Sequence, residues 1–148
     1  MTDHTTTCAL RLLQAADDFR ARLTGEFSAI HGISVNEFLL LLHLERAPSG
    51  RLARVDLAKR MHVSASTITR TTAPMEKIGL LGRAPDDRDA RLIFVVITDA
   101  GKQKLSEALS TFAKRAGYVF DDRWTETELT QFSGMLRRVA PAAAGTLT

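Results

Sequence analysis

Small hydroxyl side chains and one arginine share a short segment near the middle of the chain. Its sequence is Ser64-Ala65-Ser66-Thr67-Ile68-Thr69-Arg70. On a helix, short hydroxyl side chains permit a close approach to a DNA major groove, where they can bond phosphates or base edges. Arg70 could contact guanine through two hydrogen bonds, or a phosphate. A solvated helix rich in hydroxyl groups has the same composition, so the segment alone leaves both interpretations open.

A second charged segment, Pro85 to Arg91, lies between two apolar runs and has the composition of a hairpin loop. Arg88 is placed at its tip, where a guanidinium can enter the narrow, electronegative minor groove. Arg91 would then contact or align with the DNA backbone, and Asp86 could hold one of the arginines through a bidentate pair. The three aspartates of the loop oppose DNA contact, and a solvated charged turn is the alternative.

The elements that must position these residues begin with a long amphipathic helix, which Gly32 ends. Its apolar face is predicted to contain Leu12, Ala16, Phe19, Leu23, Phe27 and Ile30, at spacings of three and four. Ser34 and Glu37 have the spacing of a capping box for a second helix, which Pro48 and Gly50 end. That helix is apolar over more than half its circumference, which indicates burial between other elements.

Two short helices follow, the first from Arg54 to Met61 and the second capped by Ser64 and running towards Ile78. Residues 80–84 and 92–97 are predicted to form two strands on either side of the charged loop. The order is that of a helix-turn-helix followed by a β wing.

Pro74 lies inside the second of these short helices, where it lacks an amide donor and crowds the carbonyl of Arg70. We expect a bent but intact helix, and the alternative is a helix that ends early.

The last third of the chain predicts two more amphipathic helices. Thr98 caps the first, and Thr125 with Glu128 forms a capping box for the second, which stops near Pro141. Residues 142–148 are expected to form a loose tail. The apolar stripes of the terminal helices have little within one chain to cover them, so a partner chain is expected.

Composition sets outer limits on function. The 148 residues suit one domain, and a hydrophobic fraction of 45% suffices for a sizeable core. The net charge is +3, and residues 51–91 carry nine Lys and Arg against five Asp and Glu. A positive surplus in the middle of the chain suits a nucleic-acid partner without establishing one.

Several classes of protein are disfavoured. Cys8 is the only cysteine, which excludes an intramolecular disulfide, and the four histidines show no metal-ligand spacing with it or with one another. A glycine-rich phosphate loop and a nucleophile elbow are both absent, so neither an enzyme nor a cofactor is expected. The sequence has no apolar run long enough to span a membrane and no signal-like start, which predicts a cytoplasmic protein.

Four motifs at family spacing together resemble the MarR family of transcriptional regulators. They are the 64–70 segment, Glu76-Lys77-Ile78-Gly79-Leu80, Asp86-x-Arg88-x-x-Arg91 and Ile97-Thr98-Asp99-Ala100-Gly101. The resemblance implies a mainly α fold with a small antiparallel β wing, forming one domain over residues 1–148. A winged helix-turn-helix module at 34–97 would be flanked by dimerisation helices at 8–32 and 98–140.

The resemblance also implies a function: a homodimer that binds a pseudo-palindromic double-stranded DNA operator. Such regulators are commonly repressors released by a small aromatic or apolar anionic effector, or by oxidation. Carried over by position, the reading helix would use Ser64, Ser66, Thr67, Thr69 and Arg70. Arg88 would be the minor-groove finger, with Arg91 in support. The alternative is a winged-helix module for protein contacts that does not read DNA.

Two further side chains are candidates for regulation. His43, on the buried second helix, could line an effector cavity between the first, second and fifth helices, although a structural histidine is the commoner outcome. Cys8 resembles the sensing cysteine of the family's peroxide-responsive branch in its place near the start of the first helix. That branch holds its thiolate with tyrosines, whereas this chain has only Tyr118, so an inert cysteine is favoured.

Overall fold

A computed structural model of the protein describes residues 3–140 and residue 147. Its helices are α1 (His4–Glu26), α2 (Val35–Arg46), α3 (Arg54–Met61), α4 (Ala65–Lys77), α5 (Asp99–Phe120) and α6 (Glu126–Val139). Its strands are β1 (Arg51–Ala53), β2 (Leu81–Pro85) and β3 (Ile93–Ile97). Apart from Leu147, the tail predicted at 142–148 lies outside the described residues. Among the described residues, no single helix is long and apolar enough to cross a bilayer; only the bent pair of α1 and α2, taken together, meets that test.

The small sheet has three antiparallel strands in the order β1-β3-β2, not the two that were predicted. Leu52 of β1 and Arg83 of β2 both pair with Val95 of the central strand. β1 is too short to produce an alternating pattern. It forms because Ser49 and Gly50, with φ of 60° and 62°, turn the chain after α2 back onto β3. The extra strand joins the helix-turn-helix to the wing.

Helix starts follow the predicted capping residues. Thr98 Oγ1 accepts a hydrogen bond from the Gly101 amide at 3.1 Å. Thr125 and Glu128 form the complete capping box, with both reciprocal bonds present. Ser34 Oγ accepts from the Glu37 amide at 3.0 Å, and the return bond from the Glu37 side chain is not among those of the described residues. Side-chain oxygens thus satisfy amides that the first helical turn leaves unpaired.

The core is organised around α2, as its apolar circumference predicted. Phe38 contacts Phe27 with ring centroids 4.9 Å apart, and stacks on Phe112 of α5 at 5.5 Å. Phe19 of α1 meets the same Phe112 edge-on at 5.6 Å. Phe27 and Phe38 are fully buried, and a fully buried side chain of this size contributes about 1.5–3 kcal/mol. Their contacts hold α1, α2 and α5 against one another.

The end of the first helix differs from the prediction. Phe27–His31 form a π-helical turn rather than the last turn of an α-helix. A π turn accommodates one extra residue, which rotates the side chains that follow it. Ile30, predicted on the buried face, is therefore 64% exposed, and His31 is buried in its place. Nothing in the apolar spacing distinguishes the two geometries.

Apolar side chains at both ends of the chain remain uncovered. None of the residues of α6 is buried, and Met135 and Val139 are 55% and 62% exposed. Near the start of α1, Leu10 and Leu13 are 59% and 61% exposed. Exposed apolar side chains that lie together commonly mark an interface with another protein.

Candidate nucleic-acid interface

A tight turn joins α3 to α4. His62 ends α3 with φ 55°, a left-handed conformation that is uncommon outside glycine. Ser64 then caps α4 by accepting a hydrogen bond from the Thr67 amide at 3.2 Å. Ile68, Thr72 and Met75 are buried, at a spacing that gives α4 one inward face. The opposite face of α4 is therefore presented to solvent.

The predicted reading residues lie together on the first two turns of α4. Ser66, Thr69 and Arg70 are exposed, and Thr67 is half-buried. Ser64 Oγ lies 3.0 Å from Ser66 Oγ and 2.9 Å from Thr67 Oγ1. A guanidinium nitrogen of Arg70 donates to Thr67 Oγ1 at 3.4 Å. The cap and the arginine thus share one hydroxyl cluster, which holds Arg70 at the solvent face.

Pro74 does not interrupt α4. The helix continues through it to Lys77, and the amide of Ile78 donates to the carbonyl of Pro74 at 3.2 Å. The alternative of a helix that ends early is wrong. Gly79, with φ 85°, closes the helix and turns the chain into β2.

The wing is stabilised differently from the predicted arginine pair with Asp86. Asp86 Oδ1 accepts a hydrogen bond from the backbone amide of Arg88 at 2.8 Å, and so supports the loop through its backbone. Asp89 Oδ1 instead accepts from the amide and the Nε of Arg91, at 3.0 and 3.2 Å. Aspartates commonly bond the amide two residues ahead, which favours this turn over a pair between side chains. The Arg88 guanidinium has no ion-pair partner within residues 3–140.

An ion pair that the sequence analysis missed joins α4 to β2. The Nε of Arg83 donates to Glu76 Oε2 at 2.7 Å. The pair spans the Gly79 turn, and Arg83 stands on the strand that leads into the wing. In the sequence, Glu76 is only part of a helix-exit motif. The one signal for its partner Arg83 is the position of Arg83 in the predicted strand at 80–84.

His43 is buried on α2, as predicted. Burial lowers its pKa from 6.5, and the positive charges of Arg60, Arg46 and then His62 lower this pKa further. These neighbours place His43 beside the end of α3. The histidine at the junction of α1, α2 and α5 is instead His31, whose Nε2 lies 2.7 Å from Thr111 Oγ1.

The free energy of unfolding should decline as the pH falls below 6.5, because the folded protein keeps His43 neutral while the unfolded chain takes up a proton. The contribution is complete above 6.5 and is lost on approach to the lowered pKa. Urea denaturation gives the free energy of unfolding across this pH range. Below pH 6.5 it should decline less for His43→Gln than for His4→Gln, which alters an exposed histidine. The same decline in both variants would exclude His43 as the cause of the pH dependence.

Cys8 is an exposed free thiol on α1. Tyr118 lies on α5, with the guanidinium of Arg115 5.5 Å from its ring centroid. Over residues 3–140, no group of three or more His, Cys, Asp or Glu side chains is arranged to hold a metal ion. That Cys8 is inert stays a prediction, with a redox role as its alternative.

Comparisons with known proteins agree with this geometry. The model of the MarR family matches residues 33–93. The HTH-type transcriptional regulator YwaE of Bacillus subtilis is 30% identical over 132 residues, which are 89% of this chain and 75% of that protein. The HTH-type transcriptional repressor YetL, also of Bacillus subtilis, is 29% identical over 110 residues, 74% of this chain and 65% of YetL.

A solved structure shares the fold. Sco3205 of Streptomyces coelicolor, a MarR family transcriptional regulator crystallised in complex with DNA, superposes with a TM-score of 0.81 at 23% identity. The match covers 95% of this chain and 88% of Sco3205. The predicted family and the mainly α fold with a β wing are both confirmed. The chain belongs to the MarR family of winged helix-turn-helix transcriptional regulators.

Proposed function

We propose that the protein binds double-stranded DNA in a sequence-specific manner as a homodimer, and that it acts as a repressor released by a small effector. The observation that carries the proposal is the exposed hydroxyl and arginine face of α4, beside a wing whose Arg88 has no ion-pair partner among the described residues. Likeness to a regulator crystallised with DNA and to a named repressor supports it. Such a protein would act in the cytoplasm, without a catalytic step.

The residue roles follow from exposure. Ser66, Thr69 and Arg70 would read base edges or phosphates in the major groove, with Ser64 and Thr67 holding the start of α4. Arg88 would enter the adjacent minor groove, where electronegative potential attracts a guanidinium. The 92% exposed side chain of Arg91, oriented by Asp89, would contact the backbone.

Dimerisation would use the uncovered apolar ends of α1 and α6. One chain offers a single α4, whereas a two-fold dimer offers two, at a spacing that a palindromic site can match. The predicted division into dimerisation helices at 8–32 and 98–140 and a reading module at 34–97 forms part of this proposal.

An effector would bind where α1, α2 and α5 meet, because occupancy there can alter the angle between the dimerisation helices and the reading module. The π-helical turn lies at this junction, and such turns frequently occur at functional sites. A small aromatic or apolar anion suits the aromatic rings and the His31–Thr111 contact. His43, on the α3 side of α2, is the second candidate.

A protein-contact module that does not read DNA is the second candidate function, and the three wing aspartates favour it. Fluorescence anisotropy of a duplex selected by this protein from a randomised library distinguishes the two. Wild type should bind with an affinity that falls steeply between about 50 and 200 mM salt, because phosphate contacts release counterions. Binding that is weak and indifferent to salt would favour protein contacts.

Arg88→Ala should weaken that binding by about 1–3 kcal/mol and relax the preference for A/T-rich flanks, because a narrow minor groove attracts an inserted arginine. Lys114→Ala is the matched control. Lys114 is exposed on α5, about 24 Å along the helix from Thr98 at 1.5 Å per residue. Equal losses for Arg88→Ala on all flanks would contradict minor-groove reading by Arg88.

A further inference from the structure

A shallow groove runs between α4 and β2, beside the exposed face of the reading helix. It is lined by Arg70, Ala73, Pro74, Glu76, Lys77 and Arg83. Three of these side chains are cationic and one is anionic, so the groove carries a positive surplus. Arg70 belongs both to this groove and to the hydroxyl cluster, which makes the groove continuous with the proposed DNA-reading surface.

The anionic side chain holds one of the cations in place. The Glu76 side chain is only 17% exposed, whereas that of Arg83 is 51% exposed. Glu76 Oε2 accepts from Arg83 Nε, and Glu76 Oε1 is buried with no hydrogen-bond partner among the residues that the structure describes. A carboxylate with one oxygen buried and unpaired is a costly way to stabilise a fold. Its effect here is to fix the direction of the Arg83 guanidinium.

The hydrogen bond to Glu76 uses only one of the donor positions of Arg83. Both terminal guanidinium nitrogens are without a hydrogen bond within residues 3–140. A planar guanidinium whose two terminal nitrogens are free matches the oxygens of a phosphate, which it can bind through two parallel hydrogen bonds.

The floor of the groove explains the place of Pro74. Ala73 and Pro74 are exposed, and neither has a long side chain that could fill the space between Arg70 and Arg83. The proline ring adds no donor and no charge. The small apolar floor therefore leaves the cationic side chains of the rim open to an anion.

We propose that this groove binds a backbone phosphate of the DNA duplex, with Arg83 as the phosphate ligand and Glu76 as its positioning residue. The proposal rests on the proposed function. If α4 enters the major groove of the DNA and the wing enters the adjacent minor groove, the DNA strand that separates these two grooves must pass between α4 and the wing. The protein groove between α4 and β2 lies on the path of that DNA strand.

The shape of the groove favours duplex DNA over a free anion. An open site leaves a small ion hydrated and screened, so that exposed cations alone hold it weakly. A phosphate of a bound duplex is instead delivered to the groove by the contacts of α4 and the wing. The contact would carry no sequence information, but it would fix the register of α4 on the duplex.

The first test measures binding of the library-selected duplex against salt concentration. Arg83→Gln should bind about tenfold more weakly on every sequence, and its plot of log K against log salt should be shallower by about 0.9 per half-site. Glu76→Gln should bind several-fold more weakly with an unchanged slope, because the charge of Arg83 remains. Arg83→Lys should restore the slope. Lys114→Gln, which removes a charge from α5, should match wild type.

The second test replaces single phosphates of the duplex with neutral methylphosphonates. In each half-site, one replaced phosphate between the major-groove and minor-groove contacts should lower the affinity of wild type. The same replacement should not lower the affinity of Arg83→Gln further, because that variant already lacks the contact. Equal losses for both proteins at every position, with equal salt slopes, would overturn the proposal. Inorganic phosphate without DNA should leave the thermal midpoints of wild type and Arg83→Gln unchanged; a rise for wild type alone would contradict delivery of the phosphate by the duplex. Salt-insensitive binding by wild type would instead refute the proposed function itself.

Discussion

Met135→Asp is expected to make the protein monomeric and to weaken operator binding by about 10²–10⁴-fold, the range over which linked binding sites gain from effective concentration. Met135 is 55% exposed on α6, a helix without a buried residue. A carboxylate in the proposed apolar interface would lose its hydration without gaining a partner. Light scattering gives the oligomeric state, and anisotropy gives the affinity for a full palindromic site.

Thr130→Asp provides the matched control, because it adds the same charge to α6 about 140° round the helix from Met135, at 100° per residue. It should remain dimeric and bind the full site as wild type does. A Met135→Asp protein that stays dimeric would show that α6 does not form the interface. Loss of dimers in both variants would point to a general effect of charge on α6.

Gly101→Ala is expected to lower the free energy of unfolding by about 3 kcal/mol, at the upper end of overpacking effects. A Cβ at Gly101 would lie 2.2 Å from the Leu80 carbonyl oxygen and 2.9 Å from a side-chain carbon of Ile97. The Leu80 oxygen cannot move away easily, since it also accepts a hydrogen bond from the Thr98 amide. The clash therefore falls where α5 starts against the turn from α4 to β2. Urea denaturation measures the loss.

Gly25→Ala separates this clash from a general glycine effect. In the described part of the chain, no atom lies within 4 Å of a Cβ at Gly25 on α1. Alanine there should stabilise the helix by about 0.5–1 kcal/mol, because it restricts the unfolded backbone. If Gly101→Ala and wild type unfold at the same urea midpoint, the start of α5 and the turn from α4 to β2 can move apart without cost.

Local signals in the sequence were sufficient for most of the helices. Ser64, Thr98 and Thr125 each cap the helix predicted for them, because a cap depends on residues three positions apart. The apolar circumference of α2 likewise predicted its burial. The π-helical turn and β1 were not predictable in this way. An extra residue in a helix and a three-residue strand both depend on distant packing partners.

The sequence was sufficient to predict which segments form the candidate site, but not which of their side chains contact one another. The hydroxyls of α4 and Arg70 lie together because they are close in sequence. The sequence predicts that Asp86 pairs with an arginine side chain, whereas its Oδ1 accepts from the backbone amide of Arg88. Which of these two partners Asp86 takes depends on the shape of the turn. Arg83 was missed because its partner Glu76 lies across a helix end and a glycine turn. Such a pairing becomes visible only when α4 and β2 are folded together.

The π-helical turn at Phe27–His31 absorbs one residue of the first helix locally. Deleting one residue there would restore ordinary α-helical hydrogen bonding and would leave the part of α1 before the turn at nearly the same angle to α2. Phe19 would then keep its contact with Phe112, and Leu10 and Leu13 would keep their exposed positions. The deletion would remove only the local shift that buries His31. Relatives that are one residue shorter at this point should therefore keep the separation of their two reading helices.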